Sequence, residues 1–205
     1  MKVHIRSEKL RSKFFKLSLL TLLIFTLVLT TSFMYSVVGE DESSAAETEL
    51  EEEIGEIELV KYEAENFIIH HPQEWQLETQ KDETGEIVVF SKDFSGYPNI
   101  NVLQQEDVDM SLEEYLELSL EQLQEFADFE LKEQKEVELV GLEARQIEFV
   151  HDEMHETLRQ RQIMMVEAGK AYVLTHTDFA GNFQDDLPLF SYLVENKFSL
   201  REDSE

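Results

Sequence analysis

The chain has 205 residues and a formal net charge of −28, because 45 acidic side chains outnumber 17 basic ones. This balance argues against nucleic acid as a partner, since binding a phosphate backbone requires a basic face. Hydrophobic residues make up 42% of the chain and aromatic residues 10%, which is too apolar for a wholly disordered protein. The lack of cysteine in the sequence excludes disulfides, Cys-zinc sites, thiol catalysis and cysteine-linked lipid anchors.

The first 39 residues have the charge pattern of a membrane-targeting segment. Residues 1–16 carry six basic side chains and one acidic side chain, and residues 17–39 carry no charge. About 20 apolar residues in a helix cross a hydrocarbon core ~30 Å thick. The basic flank stays in the cytoplasm by the positive-inside rule. We therefore predict one transmembrane helix in the cell membrane, with the C-terminal domain extracytoplasmic.

Two fates of this segment are open. We expect an uncleaved anchor, because the apolar stretch is longer than the core of about 7–15 residues in a usual signal peptide. Small residues at 37–39 and at 43–46 offer cleavage sites, and cleavage would give a secreted protein. A buried helix of a soluble domain fits the basic flank and the length poorly.

Residues 40–59 form an acidic segment, with ten acidic and no basic side chains in residues 40–58. Self-repulsion and the scarcity of large apolar residues predict a disordered tether that lifts the domain off the membrane. We expect one folded domain over residues 60–200, which is enough chain to bury a core. A short disordered tail is predicted for residues 201–205.

The folded domain begins with a pattern of strands and turns. β-branched and aromatic residues, or alternation of apolar and polar residues, indicate strands in four short segments. Turn residues separate these segments, notably at residues 81–86 and 96–99. The predicted strands are residues 66–72, 75–79, 87–91 and 100–103.

The periodicity then changes to that of a helix. Ser111 and Glu114 have the spacing of a capping box, in which each side chain bonds the backbone of the other residue. Apolar residues follow at three- and four-residue intervals and form one stripe, whereas the opposite face is acidic without Lys or Arg. This predicts a helix from residue 112 that is held by its buried stripe rather than by ion pairs within the helix.

Four more strands and a closing helix complete the predicted domain. Even spacing with short turns indicates an antiparallel meander. Residues 180–198 have helical spacing, with Pro188 expected in the first turn. The order of elements predicts an α+β domain in which two helices pack on a sheet. The four later strands are predicted at residues 129–139, 142–150, 156–166 and 170–177.

Several short motifs occur in an order that resembles PsbP-like domains, which are bacterial envelope relatives of the extrinsic photosystem II protein PsbP. The resemblance covers residues 62–199 and implies an α/β/α sandwich with a central antiparallel sheet and a non-enzymatic binding or assembly role. It does not imply photosynthesis, and the N-terminal interaction segment of the photosystem protein is replaced by the predicted anchor and tether. The motifs are Phe67-x-Ile69-x-x-Pro72-x-x-Trp75, Ile100-Asn101-Val102, Ser111-Leu112-x-x-Tyr115 and Phe190-x-x-Leu193-Val194-x-x-x-Phe198.

One local motif suggests a metal site. His151, Asp152 and His155 have nearly the spacing of the H-E-x-x-H zinc motif, in which two histidines on one helical turn hold the metal. The shorter Asp152 stands at the position of the base, however, and the surrounding pattern predicts a hairpin. These three residues are our candidate ligands for a divalent cation, and the alternative is a polar turn at the sheet end.

Other polar residues are expected to be structural. His70 and His71 point to opposite faces of a strand and cannot chelate together, and His176 and Asp178 end a strand at the sheet rim. Trp75 is expected to fill the core and Pro72 to end a strand. We predict no organic cofactor, since the sequence lacks a P-loop, a dinucleotide fingerprint and a Gly-x-Ser-x-Gly elbow.

The leading functional prediction is a membrane-tethered, extracytoplasmic binding or assembly module that is not an enzyme. Its partner is expected to be an envelope protein, contacted through the uncovered face of the sheet and the loops at the sheet ends. One alternative is a metal-dependent hydrolase that uses His151 and His155. The other is a passive acidic surface protein whose charge is its function, and that charge also suggests a salty or alkaline exterior.

Overall fold

The structure, a computed structural model, describes residues 57–153 and 155–201. The predicted transmembrane segment, most of the predicted tether and residues 202–205 lie outside the described residues. Neither helix within the described ranges has the length and apolar character needed to cross a membrane.

Ten strands and two helices make up this part of the chain. In chain order they are β1 (Leu59–Glu63), β2 (Phe67–Pro72), β3 (Gln76–Asp82), β4 (Gly85–Ser91), β5 (Asn99–Gln105), α1 (Leu112–Leu123), β6 (Glu130–Leu139), β7 (Leu142–Glu153), β8 (Glu156–Glu167), β9 (Lys170–Phe179), α2 (Phe183–Lys197) and β10 (Phe198–Leu200).

The main sheet has seven antiparallel strands in the order β3-β4-β5-β9-β8-β7-β6. The meander predicted after the first helix is β6 to β9, in which each strand pairs with the next one along the chain. β9 then pairs with β5 and joins the two halves of the sheet. A second, three-stranded antiparallel sheet has the order β1-β2-β10.

Each face of the main sheet has its own core. Beneath α1 lies a cluster that includes Ile147, Phe149 and Met164 from the sheet. On the other face, α2 and the three-stranded sheet cover a larger cluster that includes Phe90 and Leu174. The prediction of an antiparallel sheet with two helices is confirmed. The α/β/α sandwich is a less accurate description, because a sheet shares one outer layer with α2.

α1 begins as the sequence predicts. The Ser111 hydroxyl accepts a hydrogen bond from the Glu114 backbone N–H at 3.3 Å, and Glu114 Oε2 accepts one from the Ser111 N–H at 2.9 Å. Three residues of the predicted apolar stripe are buried, namely Leu112, Tyr115 and Leu116. α1 packs on β7 and β8, so it covers mainly the part of this sheet face that those two strands form.

The closing helix differs from the prediction at both ends. α2 begins at Phe183, so Pro188 is its sixth residue and lies inside the helix rather than in the first turn. The fully buried Phe183 ring stacks on His176 at 4.8 Å between centroids, and this contact fixes the first turn to the sheet. Phe198 leaves the helix in an extended conformation and pairs with Ile69 as the first residue of β10. Pairing with β2 therefore overrides the helical spacing of Phe198.

Candidate binding site

Six neutral polar side chains form an array on the face of the main sheet that carries α1. The antiparallel register places them in two rows across β5, β9 and β8. Because paired residues share a face of the sheet, each row presents an asparagine, a threonine and a glutamine side by side. We call this array the polar band; its rows are Asn99–Thr177–Gln160 and Asn101–Thr175–Gln162.

The face on which the polar band lies follows from its neighbours in the sheet. Leu103 and Val173, two residues further along β5 and β9, pack in the cluster beneath α1. Side chains two residues apart on a strand share a face. α1 itself packs on β7 and β8. The band therefore extends from β8, beside the helix, towards β5.

The polar band is buried. Asn99 is 2% exposed and Thr177 is 0% exposed. Of the six side chains, five are buried and Gln162 is half-buried. Burying a neutral polar group costs free energy unless it forms a hydrogen bond. The hydrogen bonds of this array therefore decide whether it is a structural network or a recognition site.

Some members of the polar band are satisfied within the protein. Asn99 Nδ2 donates to the Gly96 carbonyl at 2.8 Å, which ties the loop before β5 to the band. Gln160 Nε2 lies 3.0 Å from His151 Nε2, and Gln162 Nε2 donates to Gln160 Oε1 at 3.4 Å. The two glutamines and His151 thus form a chain of hydrogen bonds beside α1.

Two atoms of the polar band have no partner. Among the described residues, Asn99 Oδ1 and Thr177 Oγ1 are the buried side-chain atoms that lack a hydrogen bond. Asn99 and Thr177 are opposite each other on neighbouring strands. Buried polar atoms without partners are uncommon in folded proteins. The pair therefore marks the least satisfied part of the polar band.

An aromatic loop lies at the end of the polar band. Residues 92–98 join β4 to β5, and Phe94 in this loop is 85% exposed. The Tyr97 ring packs 5.1 Å from the Phe179 ring, between centroids. Burial raises the pKa of Tyr97, and the negative charge of Glu153 adds to this effect. The loop that leads into Asn99 thus carries one exposed aromatic ring, Phe94, and one partly buried ring, Tyr97.

The structure separates the predicted metal ligands. His151 is buried, and its ring stacks on Phe126 at 4.7 Å between centroids. Asp152 is exposed and accepts a hydrogen bond from Thr157 Oγ1 at 2.8 Å, and neighbouring residues of a strand point to opposite faces. His155 is exposed in the turn between β7 and β8. Within residues 57–153 and 155–201, no three His, Asp or Glu side chains are grouped to hold a metal.

The protonation of His151 also follows from its surroundings. Burial lowers the pKa of the imidazole, opposed by a hydrogen bond to the Asp152 backbone and by the Asp152 charge. A neutral imidazole can accept the hydrogen bond from Gln160 through Nε2. In this arrangement His151 supports the polar band. Metal binding by His151, Asp152 and His155 stays a prediction.

The other predicted structural residues lie on the α2 face or in its core. The His176 ring lies between Phe183 and Phe190, and burial lowers its pKa, opposed by hydrogen bonds to the Phe183 and Asn99 backbones. Trp75 is buried in the core cluster beneath α2. These residues fill space or bond the backbone, in agreement with the structural roles predicted for them.

One polar cluster on the α2 face was not predicted. Glu148 is buried and accepts hydrogen bonds from Arg161 Nη2 at 2.6 Å and from Arg159 Nε at 2.8 Å. Burial raises the pKa of Glu148, but the two guanidinium groups outweigh this effect and hold the pKa below its usual range. The Arg159 guanidinium also lies over the Phe183 ring at 4.9 Å. The cluster is therefore a satisfied ion-pair network rather than an open anion site.

The described residues form an antiparallel α+β domain with a buried polar band on one sheet face. A family model described as DcrB matches residues 69–188, more than half of the chain. The chain therefore belongs to the DcrB family. No curated protein matches it.

Several solved structures are similar to this chain. The cyanobacterial PsbP protein CyanoP of Synechocystis sp. PCC 6803 has a TM-score of 0.50 and 14% identity, over 70% of this chain and 92% of CyanoP. Two others are PA94 of Pseudomonas aeruginosa, a protein of unknown function (TM-score 0.48, 12% identity, 71% of this chain and 99% of PA94), and LpqN of Mycobacterium tuberculosis, involved in cell envelope biogenesis (TM-score 0.47, 12% identity, 72% and 92%).

The similarity to CyanoP confirms the PsbP-like fold that the sequence motifs indicated. At 14% identity it concerns the fold alone. The narrower prediction, membership among the envelope relatives of PsbP, stays a prediction.

Proposed function

We propose that this protein is a membrane-tethered, extracytoplasmic binding or assembly module that acts without catalysis. It holds an envelope component at the exposed loop of residues 92–98, beside the polar band. The N-terminal segment anchors it in the cell membrane with the folded domain outside. An envelope protein is the partner to be sought first.

The observation that carries this proposal is the Phe94 ring, which is 85% exposed on the loop of residues 92–98 beside the polar band. Aromatic side chains are enriched at protein–protein interfaces. A catalytic site instead needs a nucleophile, acid or base within reach of the reacting atoms. His151, the histidine that contacts the polar band, is buried against Phe126 and engaged with Gln160. The geometry therefore favours binding over catalysis.

The lack of cysteine in the sequence makes the location testable. A single cysteine introduced as Phe94→Cys, at a position 85% exposed, is expected to react in intact cells with a membrane-impermeant maleimide. Lys13→Cys, in the predicted cytoplasmic segment, is expected to react only after the cells are permeabilised. Labelling of position 94 only after permeabilisation would contradict the extracytoplasmic location.

The same cysteine tests binding. A benzophenone maleimide attached at position 94 is expected to give a defined crosslink to an envelope protein when intact cells are illuminated. Val140→Cys, in the exposed turn between β6 and β7, is the matched control and is expected to give no such product. Equal crosslinking from both positions, or none from position 94, would contradict the proposed binding function.

A further inference from the structure

We propose that the outer edge of β3 binds an extended, basic segment of a partner protein, which adds to the main sheet as a further antiparallel strand. This inference rests on the proposed binding function and names how the partner is held. It follows from three properties of the edge: its regularity, its outward backbone groups and its charge.

The main sheet ends in two edge strands, β3 and β6, which differ in how well they can accept another strand. β6 has a bulge between Leu131 and Glu133 and carries Lys132 and Lys135, and both features hinder strand addition. β3 pairs with β4 over seven consecutive residues without a bulge and contains no proline. The edge strands of the smaller sheet, β1 and β10, have only five and three residues. β3 is therefore the edge best suited to strand addition.

The turn between β3 and β4 determines which backbone groups of β3 face outward. Asp82 and Gly85 flank this two-residue turn and pair with each other, so they form a hydrogen-bonded pair. Such pairs alternate with non-hydrogen-bonded pairs along an antiparallel ladder. The N–H and C=O groups of Leu77, Thr79 and Lys81 therefore point away from β4. The side chains of these three residues are exposed, and β3 packs mainly on β4 among the described elements, so the edge is open.

The charge beside this edge favours a basic partner. Glu78 and Asp82 are exposed and lie on one face of β3, where basic side chains of an added strand would pair with them. Lys81 is the one base in β3, and it donates to Glu65 at 2.6 Å. A second copy of this chain would bring a further net charge of −28 and be repelled. The occupant is therefore a segment of a different, basic protein.

The proposed binding loop lies at one end of this edge. Ser91 pairs with Gln76, so residues 92–98 leave β4 where β3 begins. Leu77, the second residue of β3, is exposed, as is Phe94 on the loop. An added strand would place an apolar side chain opposite Leu77 and end near the loop.

The test uses full-length protein in a nonionic detergent and a fluorescent peptide with the seven-residue length of β3. Lysine and valine alternate in this peptide, so that in the antiparallel register the valines lie opposite Leu77 and the lysines beside Glu78. We expect the peptide to bind, as measured by fluorescence anisotropy. A peptide with glutamate in place of lysine is expected to bind at least about tenfold more weakly.

N-methylation of the peptide separates strand addition from simple charge attraction, because it leaves the charge unchanged. In the antiparallel register the valine N–H groups point towards β3 and the lysine N–H groups point away. Methyl groups on the valine amides are expected to weaken binding by about tenfold or more. As many methyl groups on lysine amides are expected to have little effect.

Amide hydrogen exchange, measured by NMR, gives the corresponding pattern on the protein. With the peptide bound, the amide hydrogens of Leu77, Thr79 and Lys81 are expected to exchange at least about tenfold more slowly. Those of the alternate residues of β3 already bond β4 and are expected to change little.

Glu78→Lys tests the site from the side of the protein. It is expected to weaken binding of the lysine–valine peptide by about fivefold or more, since it replaces an attraction with a repulsion. Glu138→Lys makes the same change of charge at an exposed position of the other edge strand, β6, and is expected to leave binding nearly unchanged.

Three results would overturn the inference. They are failure of the lysine–valine peptide to bind, equal weakening by both kinds of methylation, and equal weakening by Glu78→Lys and Glu138→Lys. The crosslinking experiment separates these from failure of the proposed function. A crosslink from position 94 that persists in Glu78→Lys, without peptide binding, would keep the binding module and reject strand addition.

Discussion

Asp178 is a buried acidic residue whose pKa is raised by its position in the fold. Its side chain is 2% exposed, near the first turn of α2. Burial raises its pKa to about 6, opposed by a hydrogen bond from the Phe179 N–H; Asp186 and Asp185 raise it further and Lys92 lowers it. The folded protein therefore holds this proton more tightly than the unfolded chain, in which an aspartate titrates near 4.

This shift predicts how stability depends on pH. Between about pH 4 and pH 6 the folded state binds more protons than the unfolded state, so the contribution of Asp178 to the free energy of unfolding falls as the pH rises. Asp178→Asn is expected to stabilise the protein at pH 8, by at most about 3 kcal/mol, and to have little effect at pH 4. Asparagine keeps an oxygen for the Phe179 N–H.

Denaturant unfolding at the two pH values measures the effect of Asp178→Asn. The control is Glu156→Gln, which removes an exposed carboxylate at the start of β8 and is expected to change stability little at either pH. An equal gain for Asp178→Asn at pH 4 and pH 8 would show that the ionisation of Asp178 is not the cause.

Single residues also show what the sequence can and cannot reveal. The structural role of His176 was predictable, because a histidine at the end of an apolar strand is usually buried against neighbours. The polar band was not predicted. Asn99 and Thr177 are far apart in the chain, and only the pairing of β5 with β9 brings them together. A usable signal was that β5, β8 and β9 each carry uncharged polar residues two apart, which places them on one face of each strand.

At the scale of the secondary-structure element, the capping box of α1 gives a direct test. α1 contains no Lys or Arg to form ion pairs along its length, so its start depends on Ser111 and Glu114. Ser111→Ala is expected to lower the free energy of unfolding by about 1 kcal/mol, because it leaves the Glu114 backbone N–H without its cap. Denaturant unfolding monitored by far-UV circular dichroism measures this change.

The same substitution within α1 provides the control. The Ser119 hydroxyl donates to the Tyr115 carbonyl four residues earlier, an interaction that adds little to helix stability. Ser119→Ala is therefore expected to be neutral or slightly stabilising, since alanine has the higher helix propensity. Similar losses for both substitutions would indicate that the capping box does not hold the start of the helix.

Local elements were predictable where local patterns determine them. The strands of the meander and the start of α1 follow from alternation, turn residues and the capping motif. β1 and β10 were missed because they are defined by pairing with β2, and β10 comes from the opposite end of the domain. Leu59–Glu63 also adjoins a strongly acidic segment whose composition predicts disorder. Pairing between segments that are distant in the sequence cannot be predicted from a local pattern.

At the scale of the whole molecule, acidic charge is the dominant property. Residues 59–200 contain 31 acidic and 10 basic side chains. The described ion pairs join several of these bases to acids; Arg145, for example, contacts Glu113, Glu136 and Glu143. Many acidic side chains nevertheless lie on the exposed face of α1 or along β6. Like charges in a compact state repel one another and reduce its stability.

Salt should therefore stabilise this domain. Raising sodium chloride from about 0.1 M to about 1 M shortens the Debye length from ~10 Å to ~3 Å, which screens most repulsion between exposed carboxylates. We expect the free energy of unfolding to rise by about 1 kcal/mol, which corresponds to an increase of roughly 3 °C in melting temperature. The double variant Glu117→Gln/Glu125→Gln removes two exposed charges, one on α1 and one just after its end. It is expected to be more stable than the parent at low salt and to gain less from added salt. A domain equally stable at both salt concentrations would mean that its charges are arranged without net repulsion, and a salty exterior would then no longer explain the acidic composition.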